Sequence, residues 1–159
     1  MGEMQQEIKK YLKKNKFCVL ATCGKDMPRA TPVRFWADGL DVFIYSEKYT
    51  AKFKNLKKNA TVSLAMYGAR APLRGLQLWG TAEVIPHTDP RHAAHLPPVA
   101  RKNPKMQAAC KVLNLIKVLP RRIVMFDQGR KGAPYIVWEC DKRGREKEYE
   151  SVSLRGLTK

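Results

Sequence analysis

The sequence predicts a mainly β fold with flanking helices: a small antiparallel barrel of six to seven strands. Short apolar runs of five to ten residues recur along most of the chain. Gly, Pro, Asn and Asp turns separate many of them. Only three segments show helical spacing, too few to cover both faces of an open sheet. Closing the sheet removes exposed strand edges. With 159 residues, 44% of them hydrophobic, residues 1–159 are expected to form a single domain with its own core.

Glu3 to Asn15 reads as an amphipathic helix, with Ile8, Tyr11 and Leu12 on one face and lysines on the other. Phe17 to Thr22 is a short buried strand, and Cys23 to Pro28 is turn chemistry. Arg29 to Ala37 is a second strand, joined through Asp38-Gly39 to a third, Asp41 to Ser46. Tyr49 to Asn59 reads as a short basic helix around Phe53 and Leu56. Thr61 to Tyr67 and Leu76 to Ile85 are strands four and five. Pro86 to Lys105, with five prolines, is expected to be irregular, and Met106 to Val118 a helix. Arg122 to Phe126 and Tyr135 to Glu139 are further strands, with an edge strand near Glu148 to Leu154.

Net charge is +17, which concentrates anions of any kind near the surface. The basic residues are spread along the chain, densest at Lys9 to Lys16 and Lys48 to Lys58, as a solvated surface also requires. Cys18, Cys23, Cys110 and Cys140 form no C-x-x-C pair and read as reduced thiols, which points to the cytoplasm. No stretch has the apolar length of a signal peptide or a membrane span, and no membrane partner is expected. His92 and His95 are spaced i, i+3 without a third ligand, so no metal is expected. No nucleophilic triad, Walker loop or dinucleotide fingerprint is present, and no catalytic residue is demanded by spacing.

Three segments could meet a ligand, the first of them an anionic one. Tyr45-Ser46 through Thr50-Ala51-Lys52 joins a strand to a basic helix, whose N-terminus offers free N–H groups to a phosphate. A capping role for Thr50 and a solubilising role for the lysines is the plain alternative. Thr31-Pro32-Val33-Arg34-Phe35 contains a proline that cannot donate to a ladder, the mark of an edge or interrupted strand. Gly75 and Gly80 flank Gln77 and suggest bulges or close approach of another chain or ligand.

In order and spacing these segments resemble the pyridoxamine 5'-phosphate oxidase-like family of FMN-binding split β-barrels. The resemblance runs through Phe17 to Thr22, Pro32-Val33, Ile44-Tyr45-Ser46, Thr50-x-Lys52, Asn55-Leu56-x-x-Asn59 and the Gly80 strand ending Glu83-Val84-Ile85. It implies a homodimer with flavin mononucleotide at the interface. Thr31, Pro32, Val33, Arg34 and Phe35 would line the ring, largely through backbone. Tyr45 and Ser46 would contact the ribityl chain or phosphate, Thr50 and Lys52 would hold the phosphate, and Gln77 would approach the ring edge. Thr31 and Ala51 stand where the oxidase has arginines, and its Arg-Leu-x-Pro ending is missing. These departures separate the chain from the oxidase itself. The activity implied is a flavin oxidoreductase of unknown substrate. The alternatives are a non-catalytic binder of haem (through His87, His92 or His95), of deazaflavin or of flavin, and a basic nucleic-acid-binding barrel.

Overall fold

A computed structural model describes residues 2–25, 27–68 and 71–153. Helix α1 (Glu3–Lys14) buries Ile8 and Leu12 completely and turns its lysines outward. Its Gln5 side chain donates to Glu146 at 2.9 Å, and the Gln5 backbone N–H donates to Glu148 at 2.9 Å. The helix is thereby tied to residues far along the chain. Leu12→Ala should cost about 3 kcal/mol through lost burial and a residual cavity, read as a lower urea midpoint at unchanged slope.

The strands are β1 (Phe17–Cys23), β2 (Pro28–Arg34), β3 (Trp36–Asp38), β4 (Asp41–Ser46), β5 (Thr61–Gly68), β6 (Arg74–Ile85), β7 (Asn114–Asp127), β8 (Tyr135–Cys140) and β9 (Glu146–Ser151). Helix α2 (Ala51–Lys58) follows β4. The short helices α3 (Pro90–Ala94), α4 (Pro98–Arg101) and α5 (Pro104–Cys110) lie between β6 and β7. Seven strands form one antiparallel path, β2-β1-β5-β6-β7-β4-β3, and β8 and β9 extend it from the second half of β7.

The path curls into a half-barrel, and Phe35 shows why. Strands β2 and β3 are the two ends of the path, yet only Phe35 separates them in sequence. The sheet edges must therefore come together. Phe35 sits in the core, and its N–H leaves the ladder to donate to the Lys16 carbonyl at 2.9 Å. The expected continuous strand from Arg29 to Ala37 is thus two strands, broken where the sheet turns its corner. Alternate residues Leu20, Leu64, Leu78 and Ile123 form one fully buried row across four strands.

Two further expectations are corrected. Residues 114–118 are strand, not the end of a helix from Met106. Ile116 and Val118 pair with Ile44 and Val42 on one side and with Val84 and Ala82 on the other, and both are fully buried. Pairing on both edges overrides a helical spacing that Val112 and Ile116 share by chance. The stretch from Pro86 to Lys105 is not irregular throughout. Pro90, Pro98 and Pro104 each open a short helix, where a missing N–H costs nothing. The edge strand expected near Glu148 to Leu154 is β9, and Leu154 lies outside the described residues.

All four cysteines are free. Burial pushes the Cys18 thiol up to about 12, so it behaves as a small apolar side chain.

Candidate functional site

An open cleft of about 570 Å³ lies between β2 and the start of α2. Its walls are Met27, Pro28, Arg29, Ala30 and Thr31 on one side, and Thr50, Ala51 and Lys52 on the other. Among the described residues no carboxylate lines it, and two cations, Arg29 and Lys52, do. Helix α2 is held against β1 by Asn55, whose amide donates to the Thr22 hydroxyl at 3.2 Å and to the Thr22 carbonyl at 3.4 Å. Gly24 fits under this contact because a Cβ there would lie 2.8 Å from the Asn55 carbonyl oxygen.

The end of α2 that borders the cleft is uncapped. Thr50 occupies the cap position, but its hydroxyl donates to the Glu47 carbonyl at 3.0 Å and lies 3.1 Å from the Ser46 hydroxyl. Among the described residues no side chain accepts from the first-turn amides. The capping role anticipated as an alternative for Thr50 is therefore absent. A helix N-terminus of this kind, with Lys52 in its first turn, is a favourable place for an anion.

The structure distributes the other anticipated residues unevenly. Thr31, Thr50 and Lys52 share the cleft, and Ser46 is buried beneath Thr50. Val33 and Phe35 turn into the core cluster, so only their backbone is available to a ligand. Tyr45 packs beside Trp36 and His92, at ring distances of 5.0 and 5.6 Å. Burial and the neighbouring Cys110 thiol push its phenol above the ordinary value. Pro32 lies in one transverse row with Val19, Ala65 and Gln77, on the outward face of the sheet. Arg34 lies opposite the exposed Phe17. Pro32 and Gln77 are three strand spacings apart, about 14 Å, so Gln77 is not part of the cleft in one chain. Arg74, at the far end of β6, is ion-paired with Asp127 at 2.9 Å.

Sequence reasoning missed Met27, Pro28, Arg29 and Ala30 as walls of the cleft. The sequence shows a turn segment leading into a proline-bearing edge strand, but nothing in it sets that segment against α2. The three histidines lie elsewhere. His92 Nε2 is 2.9 Å from the Leu113 carbonyl, the His95 ring stacks on Phe43 at 4.7 Å, and His87 bonds Asn114 through its backbone N–H at 3.2 Å. None lines the cleft. Among the described residues, no cluster of His, Cys, Asp and Glu could hold a metal ion, and no helix is long and apolar enough to cross a membrane.

Solved structures share this architecture. A conserved hypothetical protein from Mycobacterium tuberculosis is 21% identical, with a TM-score of 0.65, covering 84% of this chain and 89% of that one. A pyridoxamine 5'-phosphate oxidase-related, FMN-binding protein from Nostoc punctiforme is 13% identical, with a TM-score of 0.65 and 92% of each chain covered. The haem storage protein HutZ from Vibrio cholerae is 15% identical, with a TM-score of 0.64, covering 79% of this chain and 95% of that one. At these identities the likeness is one of fold, and it spans relatives named for flavin and for haem. No curated protein matches the chain. Residues 4–124 match the family described as pyridoxamine 5'-phosphate oxidase, from α1 through most of β7. With three-quarters of its length so matched and the same curled antiparallel sheet, the chain belongs to the pyridoxamine 5'-phosphate oxidase family.

Proposed function

We propose that this protein is a homodimeric, cytoplasmic flavoprotein that binds flavin mononucleotide in the cleft between β2 and α2 and acts as an oxidoreductase. The observation that carries the reading is the N-terminus of α2, left uncapped by Thr50 and beside Lys52, facing an edge strand across a cleft that no carboxylate lines among the described residues. This donor set fits a phosphomonoester. The first-turn amides and Lys52 would hold the phosphate, with Thr50 redirecting its hydroxyl from the Glu47 carbonyl. Pro32 has no N–H to offer, and among the described residues β2 pairs only with β1, so its outer edge is free to receive a planar ring. Bound flavin supplies two-electron chemistry, while the chain binds and orients it. Four unpaired cysteines agree with a reducing compartment.

The outward face of the sheet supports the dimer. Phe17 and Tyr67 are 70% and 69% exposed, and Val19 and Trp79 are each 38% exposed. An apolar sheet face of this kind marks an interaction surface. A second copy seated there would bring its Gln77 toward the first copy's Pro32 row, in the isologous manner of a two-fold dimer.

Purified protein mixed with flavin mononucleotide should retain a flavin absorbance band through gel filtration. A colourless protein peak would remove the reading. Val19→Glu, at an exposed position, should convert the dimer to a monomer in sedimentation and lower flavin retention. A dimer that persists unchanged would place the interface elsewhere.

A further inference from the structure

The flavin cleft uses few of this protein's cations, and the remainder are not evenly spread. No acidic residue occurs between Glu47 and Glu83, or between Asp89 and Asp127. The ion pairs of the described residues employ Arg74, Arg91, Lys117, Arg122, Arg130 and Arg145. Lys25, Lys48, Lys54, Lys57, Lys58 and Lys111 are all exposed, and none is ion-paired among the described residues.

The fold gathers these six at one end of the barrel. Asn55 seats α2 on the end of β1, and the Lys58 stem lies by Gly24, next to Lys25. Phe53 and Leu56 are buried, which leaves Lys54, Lys57 and Lys58 facing solvent. Ser46 pairs with Asn114, so Lys48-Tyr49 and Lys111-Val112 leave the same end of adjacent strands. Two large apolar side chains sit among these lysines. Tyr49 is 75% exposed and Val112 is 72% exposed, each next in sequence to a lysine. The nearby sequence supplies only Asp26 and Glu47 as counter-charges.

We propose that this rim docks the protein peripherally on a phospholipid surface rich in anionic headgroups. The proposal departs from the expectation of no membrane partner, which rested on the lack of spans and leader segments, because surface docking needs neither. Lysines are compact point charges suited to a field of headgroup phosphates, and they lack the fork that reads base edges. Tyr49 and Val112 supply apolar tips for the headgroup–acyl boundary. Nucleic acid is served less well. The Lys48 ammonium lies 5.1 Å from the Tyr49 ring centroid, where a base would have to stack, and the aliphatic Val112 contributes nothing to a phosphate backbone.

The inference does not rest on the flavin reading, and one set of variants separates the two. The full chain is sedimented with phosphatidylcholine vesicles and with vesicles containing one-third phosphatidylglycerol, at low and high salt. Binding is expected to the anionic vesicles alone, and to weaken with salt. Each lysine near the surface contributes on the order of a fivefold change in affinity. The triple variant Lys54→Gln, Lys57→Gln, Lys58→Gln should therefore bind at least tenfold more weakly, with an unchanged melting temperature and unchanged flavin retention. Tyr49→Ser with Val112→Ser should lower the binding that survives high salt. Equal binding to both vesicles, or wild-type binding by the triple variant, would overturn the proposal. So would tighter binding to a duplex or single-stranded oligonucleotide at the same ionic strength that the triple variant loses, because the rim would then be a nucleic-acid face. Absence of flavin from every variant, alongside the expected vesicle results, would remove the flavin reading and leave this one standing.

Discussion

Lys52→Ala should weaken flavin mononucleotide binding by about ten- to a hundredfold, the equivalent of one lost charge-assisted contact of about 1.5–3 kcal/mol. Lys52 is half-buried in the first turn of α2, on the wall of the cleft, where a phosphate would also meet uncapped amides. Lys14→Ala is the matched control. That residue is exposed on the last turn of α1, where a solvated charge contributes little. Equilibrium titration by flavin fluorescence reads both. Equal affinities in the two variants would remove Lys52 from the site. The contrast matters because thirty-one basic residues make a loss of general electrostatic attraction an obvious competing cause. Lys14→Ala removes the same unit of net charge, so only position distinguishes the two variants.

The second large effect concerns stability. Gly80→Ala should destabilise the protein by about 3 kcal/mol, the upper range for overpacking. Gly80 is buried in β6 opposite Pro120, where the register shifts between Trp79 and Gly80. A Cβ at Gly80 would overlap the Leu119 carbonyl oxygen and stand 3.0 Å from the Pro120 Cα. Both obstacles are backbone, so no side chain can rotate away. Calorimetry should show a melting temperature lower by about 6–12 °C, at roughly 2–4 °C per kcal/mol for a chain of this size. Gly75→Ala lies five residues earlier in the same strand and should be mild, because its Cβ would come no closer than 3.4 Å to the Met66 carbonyl. Similar melting temperatures for the two variants would show that the bulge relaxes.

Gly80 also shows how a sequence signal can be right in kind and incomplete in content. A glycine inside an apolar strand announces a bulge or a close approach, and the bulge is present. The sequence could not say that the approaching backbone is the chain's own β7, nearly forty residues away. Pro120 lies inside β7 opposite that bulge, and the strand spans fourteen residues in all, Asn114–Asp127.

The candidate site divides along the same line. Thr50 and Lys52 were legible because strand, turn and basic helix are consecutive, and local backbone geometry carries the inference. Thr31 was legible as part of a proline-bearing edge strand, and its place beside a flavin ring came from the resemblance. Met27 to Ala30 were missed because they reach the cleft through the closure of the sheet, a contact between segments that no periodicity records. Tyr45 is next to Ser46 in sequence, but alternation along β4 sends it toward Trp36 and His92.

By itself the sequence determined the local elements: an amphipathic first helix, period-two strands, tight turns and a lysine-bearing helix after the third hairpin run. These follow from interactions over a few residues, where burial pattern and backbone freedom act directly. Only the tertiary structure decided that residues 114–118 are strand, that the outer edges meet at Phe35, and that Gln77 lies on the outer face, away from the cleft. Those outcomes depend on pairing partners distant in the chain, and the free energy of a buried ladder exceeds the local preferences that a sequence displays.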